Sequence, residues 1–109
     1  MYAVVRLNTW NEEKRKAAAD DLAEFDRVHA EQPGFLGSLA VAFGNGREAI
    51  VNLWVSEEQA TAALPAVAPA VQRLLEPLMV EPSQLLGTGT VVQGAELVSQ
   101  RTSPTSGKS

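Results

Sequence analysis

The chain contains no cysteine, which removes a disulfide framework, a thiolate nucleophile and a zinc ribbon together. It has a single histidine, and its carboxylates are scattered without metal-ligand spacing, so neither a metal nor a cofactor is expected. Basic residues are in short supply. Nine Lys and Arg face thirteen Asp and Glu, a net charge of −4. Affinity for a phosphate backbone needs clustered cations, so no nucleic-acid partner is expected. No apolar run approaches the length that crosses a bilayer, and no basic segment followed by an apolar one opens the sequence. The expectation is a cytoplasmic protein with no membrane partner. A glycine-rich phosphate loop is also missing: Gly44-Asn45-Gly46 reads as a hairpin turn, and neither Gly87 nor Gly89 precedes a helix.

What is present is ordinary for a globular protein. The 109 residues are 45% hydrophobic and 20% charged, enough for one domain with one core and too few for two. The pattern organises around residues 33–56. Two apolar runs flank the Gly44-Asn45-Gly46 turn, whose residues tolerate the positive φ that a tight hairpin demands. Both runs are apolar on both faces. Phe35, Leu39, Val41 and Phe43 alternate with Leu36, Ala40 and Ala42; Ala49, Val51, Leu53 and Val55 alternate with Ile50, Asn52 and Trp54. Such a hairpin is expected mid-sheet or between two covering layers.

Residues 2–9 read as a first strand, with Ala3, Val5 and Leu7 on one face and Tyr2, Val4, Arg6 and Asn8 on the other. Asn11 is a candidate N-cap for a helix running to about residue 31, where Pro33-Gly34 ends it. Ala18, Leu22, Phe25 and His29 form its inward stripe. Ser56 and Gln59 match a capping box for a second helical region. Pro65 and Pro69 predict a helix to about residue 64, a loop over residues 64–68 that could act as a lid, and a second piece from residue 69 to about 76. An irregular segment is expected between Pro77 and Pro82, then a last strand over residues 84–93. From residue 99 to 109 the chain is mostly Ser, Thr, Pro, Gly and Lys, expected to be a disordered tail to a domain of residues 1–98.

The order is β-α-β-β-α-β, which predicts an α+β, ferredoxin-like domain: a four-stranded antiparallel sheet with its helices on one face. The other face is apolar too, and one chain has no third layer to cover it. A second copy packed sheet to sheet, a homodimer, is the economical solution.

Two short motifs carry a resemblance. Gln32-Pro33-Gly34-Phe35-Leu36-Gly37 and Leu53-Trp54-Val55-Ser56-Glu57-Glu58-Gln59-Ala60 resemble segments of the antibiotic biosynthesis monooxygenase (ABM) family of dimeric α/β-barrel proteins. That resemblance implies a barrel shared by two ferredoxin-like chains, each with a pocket between helices and sheet. It also implies that Trp54 points toward the helices. Strand parity then adds Asn52 and Ile50, and from the first strand Arg6 and Asn8; His29 and Phe25 come from the first helix. Family activities include cofactor-free oxygenation of aromatic polyketides, so the expected ligand is a small aromatic or quinol-like metabolite. Asn52, Trp54 and His29 are the candidate catalytic residues, and Arg6, Asn8, Ile50 and Phe25 the candidate substrate-binding ones.

Plainer roles exist for each. Trp54 could simply pack, His29 could bond the last helical carbonyls, Arg6 could pair with a helix carboxylate, and Asn52 and Asn8 could serve the strand or a turn. The haem-degrading branch of the family is disfavoured, because it places a ligand histidine where this chain has none between Ser56 and Pro82. Two other functions fit the same scaffold: a dimeric small-molecule-binding module without turnover, and a polyketide cyclase or isomerase.

Overall fold

The structure, a computed structural model, describes residues 1–94. The expected tail, and the domain boundary at residue 98, lie outside the described residues. Four strands, β1 (Tyr2–Trp10), β2 (Phe35–Gly44), β3 (Arg47–Trp54) and β4 (Met79–Thr90), form one sheet in the order β2-β3-β1-β4. Every neighbouring pair is antiparallel. Helices α1 (Glu12–Lys16) and α2 (Ala19–Ala30) connect β1 to β2; α3 (Glu57–Ala62) and α4 (Leu64–Ala70) lead from β3 toward β4. This is the expected ferredoxin-like α+β arrangement.

The helices cover one face. Trp10 packs with Ala70, Leu74, Leu75 and Leu78, joined by Leu22 and Phe25 of α2. Trp54 packs with Ala60 and Ala63, joined by Tyr2, Val4 and Val67. These two clusters, one under each tryptophan, are the core. On the opposite face Leu39, Val41 and Phe43 are about half exposed, at 53%, 49% and 56%.

The hairpin turn forms as its residues require: Gly44, Asn45 and Gly46 all have positive φ, 93°, 57° and 77°. Gly46 is held to glycine twice over, because a Cβ there would overlap the Trp10 carbonyl oxygen. The Trp10 N–H in turn donates to the Gly46 carbonyl at 2.8 Å, tying the turn to the end of β1.

Several expectations need correction. Of the two placements expected for the hairpin, mid-sheet holds for β3 alone, since β2 is an edge strand. Phe35 does not share a face with Leu39, Val41 and Phe43. It pairs with Trp54 while Gly37 pairs with Leu53, so Leu36 is an extra residue and the alternation reverses there. The first helix is two: α1 stops at Lys16, and Ala18 leaves helical backbone at φ −113°, ψ 34°. Alanines favour helix locally, but α1 is anchored elsewhere. Its cap residue Asn11 donates its backbone N–H to the Leu78 carbonyl at 2.8 Å, and Arg15 bonds Glu48 of β3. Tertiary contacts override propensity here.

The expected lid is absent. Residues 64–68 are the first turns of α4, with Pro65 at a starting position that needs no amide donor. The break falls at Ala63 instead, and Pro69 lies inside α4, followed directly by a widened π turn over Val71–Leu75. The last strand begins earlier and stops sooner than expected, at Met79 and Thr90. It accommodates Pro82 because its pairing with β1 shifts register between Leu7 and Thr9, where the ladder asks for no donor.

Candidate functional site

Between the helices and the covered face lies a cavity of about 520 Å³. Its floor follows from strand alternation. Val4, Arg6, Asn8 and Trp10 of β1, Ser38 and Ala40 of β2, and Glu48, Ile50, Asn52 and Trp54 of β3 all line it. Phe25 and His29 of α2 contribute to the wall. All seven residues expected at the site therefore meet around one space: Arg6, Asn8, Phe25, His29, Ile50, Asn52 and Trp54.

One end is aromatic. The His29 imidazole stacks on Phe35 with centroids 4.2 Å apart, and lies 5.6 Å from Trp54 and 5.2 Å from Phe25. Phe35 meets Trp54 edge-on at 5.2 Å. No described residue hydrogen-bonds the His29 ring, so it does not cap the last helical carbonyls. Burial among these rings pushes its pKa from 6.5 down to about 4, because the charged form loses its hydration. His29 is therefore neutral at pH 7. Trp54 is 3% exposed, yet its indole N–H donates to no described residue.

The middle of the floor presents donors. Ser38 donates its hydroxyl proton to Asn52 Oδ1, and Ser83 of β4 does the same to Asn8 Oδ1, each at 2.5 Å. Each amide thus has its acceptor end tied down, and its nitrogen has no described protein partner. Arg6, half-buried, forms no ion pair with any described carboxylate.

The far end is a locked polar cluster that sequence reasoning missed. Glu48 is buried at 7% exposure, and its Oε1 accepts from the Trp10 indole at 3.0 Å. Arg15 bonds Glu48 Oε2 at 3.2 Å, and its guanidinium lies 4.6 Å from the Trp10 ring centroid. A signal existed: continuing the β1 and β3 alternation by one step puts Trp10 and Glu48 on the same face as Asn8 and Ile50. Among the described residues no three or more His, Cys, Asp or Glu side chains come together as a metal site. No helix of the described residues is long and apolar enough to cross a membrane.

The fold is similar to that of solved structures described as antibiotic biosynthesis monooxygenases. A mutant form of SnoaB, a cofactor-independent oxygenase from Streptomyces nogalater, superimposes with a TM-score of 0.68 at 20% identity, over 85% of this chain and 94% of that one. A structure described as antibiotic biosynthesis monooxygenase gives 0.66 at 10% identity, over 85% of this chain and 100% of its own. A Nitrosomonas europaea protein of unknown function gives 0.67 at 18%, over 85% and 90% of the two chains. No family model and no curated protein matches the chain. At these identities the likeness is one of fold.

Proposed function

We propose that this protein is a cofactor-free monooxygenase acting on a small aromatic or quinol-like metabolite. The observation that carries the reading is the Trp54 end of the cavity. It sets an indole N–H and the Asn52 amide, both without described acceptors, beside a neutral imidazole and an aromatic wall. The overall change converts a ring CH₂ and O₂ into a ring C=O and water. The substrate loses a proton to His29, and the resulting enolate or phenolate gives one electron to O₂. The radical and superoxide combine, and loss of water from the hydroperoxide leaves the carbonyl. Asn52 and Trp54 donate to the oxyanion as it forms, as donors fixed in place before the charge develops. Neutral His29 is in the proton-accepting form, but a conjugate acid with a pKa of about 4 makes it a weak base. A phenol-type proton, with a pKa of about 10, is therefore transferred uphill, and the Asn52 and Trp54 donors must offset that by stabilising the anion.

Incubation with a panel of anthrone- and hydroquinone-type compounds in an oxygen electrode tests this. Uptake above the buffer rate, with a product that has gained one oxygen and lost two hydrogens, supports it; no uptake across the panel overturns it. The weak basicity of His29 also favours a second reading, in which the cavity holds its ligand without turnover. A ligand-dependent rise in Tm with the ligand recovered unchanged would select that reading.

The proposal includes a homodimer. Supporting it, Leu39, Val41 and Phe43 lie about half exposed on a sheet face that the helices leave uncovered. Covering them stabilises by roughly 25 cal/mol for each Å² of apolar surface removed from water.

A further inference from the structure

The floor of the cavity carries a charge that nothing in the fold answers. Among the described arginines, Arg15, Arg27 and Arg73 each pair with a glutamate. Arg47 lies over the Phe43 ring at the surface. Arg6 alone both lines the cavity and lacks a described acidic partner. A half-buried cation in a largely apolar space is unfavourable unless something compensates it. The nearest carboxylate along the floor, Glu48 on the Asn8 rung, already has its oxygens taken by Trp10 and Arg15. Asp26 and Glu76 stand at the rim and are exposed.

Local geometry sets Arg6 apart in a second way. The β1–β4 ladder shifts register between Val5 and Arg6, since Val5 pairs with Gly87 and Arg6 with Leu85. Bulges of this kind re-aim side chains next to functional sites. Asn8, two residues on, is 5% exposed, and Ser83 occupies its carbonyl oxygen, so the amide nitrogen is what it offers the cavity. Arg6 and Asn8 together form a donor-only pair, the chemistry that receives a carboxylate.

The pair is separate from the reacting end. Asn52 sits on the Val4 rung, Arg6 on the Ile50 rung and Asn8 on the Glu48 rung. At about 3.4 Å per residue, the Arg6–Asn8 pair lies about 7 to 14 Å along the floor from Asn52. Val4 beside Asn52 and Ile50 beside Arg6 add apolar surface to those two rungs of the floor.

We propose that the ligand is an aromatic acid, its carboxylate held by Arg6 and Asn8 and its ionisable hydroxyl or enol placed at Asn52 and Trp54, farther along the same floor. This rests on the oxygenase reading only for the role of the second end. The carboxylate site is tested by binding alone, with 6-hydroxy-2-naphthoate and its neutral amide titrated into the full chain at pH 7.5. The acid is expected to bind at least tenfold more tightly than the amide. Arg6→Gln should abolish that preference while leaving the amide's Kd unchanged, and Arg6→Lys should restore part of it. Plain 2-naphthoate, which has no hydroxyl, should keep the preference for acid over amide. Equal affinity of acid and amide for the native protein overturns the proposal, whatever the variants do. So does a preference that vanishes with the hydroxyl, which would assign Arg6 to an ionised phenol, and so does failure of both to bind. The two readings part cleanly: tight, Arg6-dependent acid binding without oxygen uptake supports the carboxylate site and removes the oxygenase. Uptake on neutral anthrones with no preference for acids does the reverse.

Discussion

The two tryptophans occupy opposite ends of one cavity and are used in opposite ways. Trp10 is 4% exposed and Trp54 3%, so burial does not distinguish them. Their indole N–H groups do. That of Trp10 is committed to Glu48, which is committed again to Arg15. That of Trp54 is left free beside a neutral imidazole and an amide whose acceptor is already occupied. A buried donor that finds a partner stabilises the fold; one left open toward a cavity is available to a ligand. Under the proposed function the Trp10 end holds the molecule together and the Trp54 end meets the ligand, and substitutions should separate the two.

The largest effect is expected from Glu48→Leu. It leaves the Trp10 N–H buried without an acceptor and Arg15 without its counterion. A loss of about 2–4 kcal/mol follows, read as a lower midpoint in urea unfolding. If stability is untouched, the Trp10 end is not a lock. Next comes pH. The unfolded chain protonates His29 near 6.5, whereas the folded chain resists until about 4. Stability contributed by the neutral imidazole is therefore complete above pH 6.5 and is lost as pH falls toward 4, by roughly 2–3 kcal/mol. Urea midpoints at pH 7.5 and 4.5 should show the drop in the native protein, and His29→Phe should remove it. Trp54→Phe keeps a ring in the stack and deletes the donor. Turnover should fall about 10- to 100-fold, with stability changed by about 1 kcal/mol or less. Smallest of all, Arg15→Lys retains a charge beside Glu48 and should cost under about 1 kcal/mol with turnover unchanged.

How much of this was legible in the sequence differs between the same two ends. At the Trp54 end, the resemblance turned Trp54 toward the helices, period-two alternation in β1 and β3 then added Arg6, Asn8, Ile50 and Asn52, and the 3.6-residue stripe of α2 added Phe25 and His29; all seven line one cavity. Regular backbone makes such inference possible. Phe35 escaped because the bulge at Leu36 reverses its face, and alternation alone cannot see an inserted residue. The Trp10 end was hidden for another reason. Glu48 follows Arg47 at the mouth of a hairpin, and Arg15 sits among Glu12, Glu13, Lys14 and Lys16, so neither carries a local signal of burial. Arg15 meets Glu48 from within α1, a contact between residues 33 positions apart that no local pattern signals. The prolines misled in the same way. Pro65 and Pro82 mark where donors are missing, but a helix start and a register shift absorb them without a loop.

The outer face of the sheet offers a separate check. Val41→Asp should turn a dimer into a monomer by sedimentation while leaving the cavity residues in place; a native protein that sediments as one chain at micromolar concentration would remove the dimer from the proposal.

The most direct test of the account is oxygen labelling on the native protein and Trp54→Phe side by side, with an anthrone carboxylic acid under ¹⁸O₂. The account predicts one labelled oxygen per product from the native protein and the same product at least tenfold more slowly from a folded Trp54→Phe. Equal rates, or product without label, would contradict it.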